Sequence, residues 1–565
     1  MEKHQSKKWV VADLLPEAVS WSLEMFPVPI RQILYNRHIE NLEAAQNYLE
    51  ARIEFEDPFA LLGMKKAVDR ISKSITQNEA IAIYGDYDVD GVTATALLVE
   101  VIQALGGKVR GYIPNRFDEG YGLNNDALDL LGSEGVKLVI TVDCGIRSPK
   151  EVQHAQASGI DIIVSDHHHP KGDVPAAFAV ICPKQAGDEY SNKDLAGVGL
   201  AYKIAEGLIQ THPDLGLNIE SWLDLVALGT VADIVPLTGE NRVLVRKGID
   251  VIRKNPRPGV KSLANIAGVT LARVNSSDIG YMLAPRLNAA GRLESALNAL
   301  NLLFADTIEN AAVYAVKLEA QNRERQNTTK AIQMSAEILA EADPEAYLIF
   351  AADPEFNQGV VGLAASKLVE SYYRPAIVAY KGPDTTRGSC RSIPEFHITE
   401  ALDEVSDLLI RHGGHAMAAG FTVSNEKLDN FVKRMKEIAR EKLSNLDLQP
   451  MIRIDTEIQL RDLKPELLPF LDQMQPTGQD NPEPLFVSRN LKVIQKKTVG
   501  ADASHLKMVL TDGLITFDAI GFRMAHHLPA IKEHVDVVYN FSRNTFNDRT
   551  TLQLMIRDIK PSELR

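Results

Sequence analysis

Short apolar runs rich in isoleucine and valine recur along the first half of the chain, and longer stretches with helical spacing separate them. The runs cover residues 80–84, 137–142 and 161–165. Strands that are buried on both faces give continuous apolar runs of this kind, whereas half-exposed strands alternate apolar and polar positions. The pattern therefore predicts a parallel sheet with helices on both faces.

The pattern changes twice further along the chain. Residues 306–343 predict one long, highly charged helix, which we interpret as a connector between domains. A second α/β unit follows from residue 346. From about residue 451, short strand-like runs separated by turn residues predict a small β-barrel, with an OB-fold as the first candidate.

At 565 residues the chain is too long for one hydrophobic core, so the sequence predicts a multidomain α/β protein. The predicted regions are an N-terminal cap region (1–75), the parallel-sheet domain (76–300), the connector helix (301–344), the second α/β domain (345–447) and the OB-fold-like β-barrel (448–565).

Composition narrows the class of protein. With 45% hydrophobic and 24% charged residues, the chain is typical of soluble proteins. The N-terminus lacks an apolar stretch long enough for a signal peptide, and no later segment approaches a membrane span, so we expect a cytoplasmic protein with no membrane partner. Cys144, Cys182 and Cys390 lack CxxC spacing and support neither a disulfide framework nor a thiolate zinc site.

The formal net charge of −14 argues at first sight against a nucleic-acid partner, because neutralising phosphates requires lysine and arginine. It does not decide the question, since metal-binding carboxylates contribute to the total and a local basic groove can coexist with an acidic exterior. The positions of the acidic residues are more informative than their number.

Acidic residues and histidines follow several of the apolar runs, and we place all of them at the ends of strands. The candidates are Asp86, Asp88, Asp90, Asp143, Asp166, His167, His168, His169 and Asp233. A solvated turn or a helix cap could explain any one cluster. Loops at the carboxyl ends of parallel strands converge on one crevice, however, and clustered carboxylates need a cation to offset their repulsion. The sequence therefore predicts a metal site.

The ligand types indicate the ion and the reaction. Several carboxylates with one or two imidazoles and no thiolates favour Mn²⁺ or Mg²⁺ over structural zinc. Two ions are expected rather than one, because a pair can stabilise both the attacking and the leaving oxygen of an in-line displacement at phosphorus. Phosphoester hydrolysis is the predicted chemistry.

Four segments resemble the successive motifs of the DHH phosphoesterase superfamily: DYDVDG (86–91), VDCG (142–145), DHHHP (166–170) and GTVADIVPL (229–237). Further segments match members that degrade single-stranded DNA, among them Pro114–Leu123, Ala284–Arg292 and Asn481–Phe486, so the resemblance covers nearly the whole chain. It implies a DHH catalytic domain, a DHH-associated domain across a cleft, and an OB-fold.

The resemblance also implies a function. Such proteins are single-strand-specific 5′→3′ DNA exonucleases that act in DNA recombination and repair. The implied partner is single-stranded DNA, and a helicase and a single-strand-binding protein are further candidates.

Roles for individual residues come from the same resemblance. The expected metal ligands are Asp88, Asp90, Asp143, His167 and Asp233, and Asp86 is a sixth candidate. His168 is expected to face the scissile phosphate and to donate a hydrogen bond to charge that develops in the transition state. His169 is interpreted as a surface histidine.

Arginines and small polar residues in other matching segments are candidates for holding DNA. They are Arg116, Arg286, Asn288, Arg292, Ser389, Arg391 and His415. Guanidinium groups suit bidentate phosphate recognition, and the glycines near the last three permit close backbone approach. A solvent salt bridge or a tight glycine-rich turn is the plainer alternative. We expect Arg116, Ser389 and Arg391 to recognise the 5′ end of the strand or its phosphate.

Two departures from the family pattern are visible. Phe356 and Asn357 stand where the family commonly has tryptophan and histidine, which removes an aromatic and a histidine contact. Cys390 replaces the usual glycine between Ser389 and Arg391, and its side chain is expected to tighten the turn.

Two other functions stay open on the sequence alone. A DHH phosphodiesterase acting on very short oligonucleotides or cyclic dinucleotides would have the same metal chemistry, but the OB-like C-terminal region argues against it. A non-catalytic single-strand-binding or scaffold protein would have an inactive centre, and the intact acidic motifs argue against that.

Overall fold

The structure is a computed structural model that describes residues 6–115, 119, 122–341, 343, 345–546 and 549–562. Two compact units make up the chain. One unit contains Met1–Val10 and Ala320–Ile452, and the other contains Val11–Glu319 and Arg453–Arg565. Among the described residues, no helix has both the length and the apolar character needed to cross a bilayer.

The N-terminal region forms one short strand and three helices. They are β1 (Lys8–Val11), α1 (Glu17–Ser22), α2 (Val28–Tyr35) and α3 (Leu42–Glu50). Asn41 begins α3 as an N-cap, because its side chain accepts a hydrogen bond from the amide of Ala44 at 2.9 Å. Apolar residues of this region, including Leu23, Ile30 and Ile33, pack in one hydrophobic cluster with the C-terminal barrel.

The parallel-sheet domain alternates strands and helices as the sequence predicts. Its elements are α4 (Met64–Thr76), β2 (Ala80–Gly85), α5 (Val89–Ala104), β3 (Val109–Tyr112), α6 (Asn125–Ser133), β4 (Val136–Val142), α7 (Pro149–Ala157), β5 (Asp161–Ser165), β6 (Ala179–Ile181), α8 (Gly197–Thr211), α9 (Leu223–Ala232), α10 (Gly239–Lys254), α11 (Pro258–Ala267), α12 (Ser276–Asp278), a π-helical turn (Ile279–Leu283), α13 (Ala284–Leu293) and α14 (Leu297–Phe304).

The strand order of this sheet is β3-β2-β4-β5-β6, and every pairing is parallel. Alternate residues of β2 and β5 enter two different hydrophobic clusters. Ile81 and Ile83 of β2 face the cluster that contains α5 and α8, whereas Ala82 and Tyr84 face the cluster that contains α6 and α7. Burial on both faces explains the continuous apolar runs in the sequence.

The predicted connecting helix is α15 (Ile308–Glu341), 34 residues long. The boundary between the two compact units falls within it, after Glu319.

The second α/β domain is a mixed sheet with three helices. Its elements are β7 (Ile349–Asp353), α16 (Val361–Tyr372), β8 (Ala376–Lys381), β9 (Thr385–Arg391), α17 (Ile398–Asp403), β10 (Leu409–His415), β11 (Ala418–Ser424) and α18 (Leu428–Leu443). The order is β10-β11-β9-β8-β7. Within this sheet β7 and β8 pair in parallel, and the other pairings are antiparallel.

The C-terminal region is a closed five-stranded barrel, which confirms the predicted OB-fold-like architecture. Its elements are β12 (Met451–Ile454), β13 (Thr456–Glu457), α19 (Leu468–Gln473), β14 (Phe486–Val499), β15 (His505–Thr511), β16 (Thr516–Gly521), β17 (His534–Phe546) and β18 (Arg549–Pro561). The strands pair in the order β14-β15-β16-β18-β17, and β17 returns to pair with β14. This last pairing closes the barrel and leaves no edge among these five strands.

Candidate metal centre and active site

Three neighbouring strands of the parallel sheet deliver acidic residues to one edge. Asp86 directly follows β2, Asp143 directly follows β4, and Asp166 directly follows β5. These strands are adjacent in the sheet, so their carboxyl ends lie side by side. The convergence predicted from the sequence is present.

Asp233 reaches the same place from a different element. It was expected at a strand end, but it lies at the C-terminal cap of helix α9, and this expectation was wrong. The sequence LDLVALGTVA forms a helix in which residues 223–230 are all buried. A segment that is apolar on all sides shows no helical periodicity, so the pattern cannot distinguish it from a buried strand.

The side chains form overlapping groups around His167. Its Nε2 atom lies 3.0 Å from Asp143 Oδ1, 3.5 Å from Asp233 Oδ2 and 4.0 Å from Asp90 Oδ2. Three sets have ligand atoms within 4.8 Å of one another: Asp90, His167 and Asp233; Asp86, Asp88 and Asp143; and Asp143, His167 and His168. All six predicted metal ligands therefore lie together.

The ligand atoms fit a cation. Asp143 Oδ1, Asp233 Oδ2 and both ring nitrogens of His167 are buried and make no hydrogen bond with any described residue, although His167 Nε2 and Asp143 Oδ1 lie 3.0 Å apart. Buried polar atoms normally find a partner, because leaving them unsatisfied costs about 1–3 kcal/mol each. A hard divalent cation such as Mn²⁺ or Mg²⁺ would satisfy these carboxylate and imidazole atoms together.

Without a cation, burial and mutual repulsion disfavour the charged forms of the carboxylates in this centre. Burial, and then the charge of Asp88, raises the pKa of Asp90 to about 7. Burial and the charge of Asp90 raise the pKa values of Asp143 and Asp233 well above the usual range of a carboxyl group. Burial lowers the pKa of His167 to about 3, so this ring is neutral near pH 7 and can coordinate a metal.

Asp90 has a second function that sequence analysis missed. Its Oδ2 accepts a hydrogen bond from the amide of Gly197 at 2.6 Å, and its Oδ1 accepts one from the amide of Val198 at 2.8 Å. These amides begin helix α8, so the carboxylate caps that helix from more than 100 residues away. The start of α8 thereby fixes the position of a predicted ligand.

Gly197 is required by the close approach of α8 to the centre. A Cβ atom at this position would lie 2.7 Å from Asp143 Cβ and 2.9 Å from Asp90 Oδ2. Asp143 itself has a left-handed backbone, with φ of 62°. Non-glycine residues seldom adopt this conformation, and it is often found at functional sites.

His168 is oriented by Asp166. Its Nδ1 lies 2.8 Å from Asp166 Oδ1, and its backbone amide donates to the same oxygen at 3.0 Å. The other carboxylate oxygen, Asp166 Oδ2, accepts from the amide of Ile146 at 2.9 Å. Although burial opposes it, the hydrogen bond from His168 lowers the pKa of Asp166. Asp166 therefore orients His168. It is not a candidate metal ligand, because it belongs to none of the three ligand sets.

The Ala284–Arg292 segment packs against the residues that begin α5. Asn288 Oδ1 accepts a hydrogen bond from the amide of Val89 at 3.2 Å, next to the N-cap Asp88. A Cβ atom at Gly291 would lie 2.5 Å from the carbonyl oxygen of Tyr87. Arg286 donates to Glu319 at 2.7 Å and only 11% of its side chain is exposed. These contacts of Arg286 and Asn288 are within the protein.

The glycine-rich segments of the second α/β domain are strands, not turns. Ser389 and Arg391 lie in β9, and His415 ends β10. Arg391 and His415 are both register partners of Ala418 in β11, which places the three on one face of the sheet. The tight turn that was the plainer alternative is wrong, because both segments pair with β11 along their length.

Helix α16 begins beside these residues. A Cβ atom at Gly362 would lie 3.1 Å from Arg391 Nη2 and 3.4 Å from Ser389 Oγ. The N-terminal end of a helix carries partial positive charge, so Ser389, Arg391 and this helix end together suit an anion. Arg116, the other residue expected at the 5′ end, lies outside the described residues.

Comparisons with known proteins extend over most of the chain. The single-stranded-DNA-specific exonuclease RecJ of Bacillus subtilis (strain 168) is 37% identical over 540 residues, covering 94% of this chain and 68% of that protein. The Escherichia coli (strain K12) protein of the same name is 35% identical over 561 residues, covering 95% of this chain and 96% of that protein. The chain belongs to the RecJ family.

A solved RecJ structure has the same fold. The crystal structure of RecJ from Thermus thermophilus in complex with Mn²⁺ matches with a TM-score of 0.84 at 29% identity, covering 99% of this chain and 80% of that one. Family models match the DHH family N-terminal domain at residues 80–230, the DHHA1 domain at 345–441 and the RecJ OB domain at 454–558.

The two departures from the RecJ pattern have structural explanations. Phe356 is buried in the cluster around α16, and Asn357 Oδ1 accepts from the amide of Gly359 at 2.8 Å just before that helix. Cys390 is fully buried and packs in the core of the second α/β domain. It does not tighten a turn, because its side chain points to the opposite face of β9 from Ser389 and Arg391.

Proposed function

We propose that this protein is a metal-dependent exonuclease that degrades single-stranded DNA from the 5′ end. The observation that carries the proposal is the cluster around His167, where buried carboxylate and imidazole atoms without hydrogen-bond partners lie within ligand distance in a chain of the RecJ family. Relatives of this chain are named single-stranded-DNA-specific exonucleases.

Two Mn²⁺ or Mg²⁺ ions fit the ligand sets. Asp90, His167 and Asp233 would hold one ion, and Asp86, Asp88 and Asp143 the other. Bound there, the ions would stabilise charge on the attacking and leaving oxygens of an in-line displacement at phosphorus. The chain itself supplies the geometry, since the N-cap of α5, the cap of α8 and the contact from Val89 to Asn288 fix the carboxylates.

His168 addresses the substrate. Because Nδ1 contacts Asp166, the ring is held in one orientation and Nε2 is left for the substrate. In that orientation Nε2 donates a hydrogen bond to a phosphate oxygen, and this bond strengthens as negative charge develops in the transition state.

The 5′ end is recognised in the second α/β domain. Ser389, Arg391 and His415 offer a hydroxyl, a guanidinium and an imidazole on one sheet face beside the start of α16. A terminal phosphate monoester carries more negative charge than a backbone diester, so such a site favours it. Arg116, which lies outside the described residues, is proposed to recognise the same 5′ end, and Arg292 is proposed to contact the nucleotide backbone.

The wider role follows from the family. The barrel would hold the single strand, as OB-folds do with a positive groove and stacking surfaces. A helicase that unwinds duplex and a single-strand-binding protein that coats the product are the proposed partners in recombination and repair, in the cytoplasm.

Degradation of long single strands labelled at the 5′ or the 3′ end, with Mn²⁺ present, tests the proposal. Progressive release from the 5′ end of single strands, with no release from blunt duplex, is expected. Asp143→Asn is the inactive control. Activity confined to very short oligonucleotides would instead support a small-substrate DHH phosphodiesterase, and binding without cleavage would support a scaffold.

A further inference from the structure

A cavity of about 1000 Å³ lies apart from the metal ligands, between α2, α3, the start of α10 and the segment that precedes β14. None of the six predicted metal ligands lines it. Its volume is at the upper end of the range in which small-molecule ligands are bound. The cavity therefore requires an explanation separate from the metal centre.

Arg242 lies in the wall of this cavity as a buried cation. It is 4% exposed, and its guanidinium lies 4.2 Å from the centroid of the Tyr48 ring. Its terminal nitrogens donate only to backbone carbonyls, those of Tyr48 at 2.6 Å, Gln473 at 2.9 Å and Gln475 at 3.2 Å. Its Nε is buried and has no hydrogen-bond partner within the part of the chain that the structure describes.

No carboxylate oxygen of the described residues lies within 4.0 Å of the Arg242 guanidinium, the distance that defines an ion pair. Burial, and then the nearby charges of Arg246 and Arg37, lowers its pKa to about 10. Carbonyls at the C-terminal ends of α3 and α19 offset part of this charge, and the buried Nε remains as a donor that an anion in the cavity would satisfy.

The rest of the lining is also cationic. Arg37, Arg52 and Arg453 line the cavity together with Arg242, and Arg37 pairs with Asp455 at 3.3 Å while Arg52 pairs with Glu50 at 2.5 Å. Arg242 and Arg453 have no carboxylate partner among the described residues, and Asp480 is the remaining acidic residue of the lining, so the formal excess is one positive charge. The residues that begin α10, Thr238 and Gly239, open on the same space, and Thr238 makes no side-chain cap hydrogen bond.

We propose that this cavity binds the phosphate group of a nucleotide. Arginine suits phosphate because its planar group offers paired donors, and Asn47 and Gln479 in the lining can hydrogen-bond to a sugar or base. The choice of a nucleotide among phosphate compounds rests on the proposed nuclease function, whereas the need for an anion rests on Arg242. The phosphate belongs either to a released mononucleotide or to the backbone of the bound strand.

The test uses the full chain in excess EDTA, so that the metal centre neither binds nor cleaves the probe. Titration calorimetry with thymidine 5′-monophosphate is compared with anisotropy of a fluorescent oligothymidylate at low salt. The variant Arg52→Ala/Arg453→Ala removes two exposed charges from the cavity. Lys254→Ala/Lys261→Ala removes two exposed lysine charges that are outside the lining and serves as the matched control.

We expect the cavity variant to weaken phosphate binding at least tenfold and the control to leave it unchanged. Loss of mononucleotide binding identifies the released nucleotide as the ligand. If only the oligothymidylate affinity falls, with a shallower salt dependence by about 0.7 per lost contact, the strand phosphate is the ligand.

Three results would overturn the proposal: equal affinities in parent and cavity variant for both probes, no binding of either probe, or competition by an oligoglutamate peptide as strong as that by the mononucleotide. This test measures binding and not cleavage. Failure of the cavity proposal can therefore be distinguished from failure of the proposed nuclease function. Arg242→Met is a second variant, and the Arg52/Arg453 pair keeps the test decisive if that variant does not fold.

Discussion

His168 and Asp166 are joined by two hydrogen bonds to one oxygen, since both Nδ1 and the backbone amide of His168 meet Asp166 Oδ1, at 2.8 and 3.0 Å. The carboxylate therefore fixes which nitrogen of the ring is turned inward and leaves Nε2 as the nitrogen that can address a substrate. We propose that this histidine motif contains a metal ligand, His167, and an oriented donor, His168.

Replacing Asp166 should affect turnover without removing metal. In Asp166→Asn the negative charge beside His168 is lost, so we expect kcat to fall roughly 10- to 100-fold, the range found when a partner that orients a catalytic group is changed. Metal stoichiometry, measured by calorimetry, should match that of the parent; loss of an ion would assign Asp166 to the ligands instead.

His168→Ala and Asp143→Asn should separate substrate contact from metal binding. Loss of one transition-state hydrogen-bond donor lowers kcat by on the order of 10²–10³, so His168→Ala should turn over slowly while binding Mn²⁺ normally. Asp143 is shared by two of the three ligand sets, and Asp143→Asn should lose at least one ion. Equal metal loss in both variants would contradict this division.

How much of this centre the sequence could predict depended on the element that carries each residue. Asp86, Asp143 and Asp166 follow strands whose apolar runs are unmistakable, so their convergence followed from the sheet. Asp233 was misplaced because its helix is buried on all sides. The contact between Asn288 and Val89 spans 199 positions and leaves no local signal. Likewise, the glycines of β9 and β10 make these strands resemble turns in sequence. In the structure, the same glycines allow the strands to pack closely.

Stability of the metal-free protein should fall as pH rises from about 4 to about 7. Burial raises the pKa of Asp90 from its ordinary value of 3.8 to about 7, and it raises the pKa values of Asp143 and Asp233 as well, so these three carboxyl groups hold more protons in the folded chain than in the unfolded chain. The lowered pKa of His167 acts in the opposite direction, but it is one group against three. Stability then decreases with increasing pH. Mn²⁺ binding requires the deprotonated carboxylates, so its affinity should increase over the same window. Thermal unfolding with EDTA or Mn²⁺ at several pH values measures both trends, and a metal-free protein that becomes more stable toward pH 7 would contradict the first.

Gly197→Ala should damage the centre through packing alone. The new methyl group would press on Asp143 Cβ and Asp90 Oδ2, and inserting a methyl group into a filled site costs about 1–3 kcal/mol. We expect a lower unfolding temperature and weaker Mn²⁺ binding. Gly132→Ala is the matched control, because its Cβ would meet only the end of the Ile160 side chain, at 3.2 Å, within helix α6. Similar metal affinities in the two variants would show that α8 does not position the ligands.

Arg391→Ala should remove the preference for a 5′-phosphate while sparing the metal centre. Arg391 shares a sheet face with His415 and lies beside Ser389 and the start of α16, which suits a terminal phosphate. Its loss removes a charge-assisted contact that a 5′-hydroxyl substrate cannot use fully. The ratio of kcat/KM for 5′-phosphate over 5′-hydroxyl strands should therefore fall about tenfold, with metal binding unchanged. Lys433→Ala, an exposed charge on α18 of the same domain, should keep the parental ratio. If Arg391→Ala discriminates the two ends as the parent does, the 5′-end site lies elsewhere.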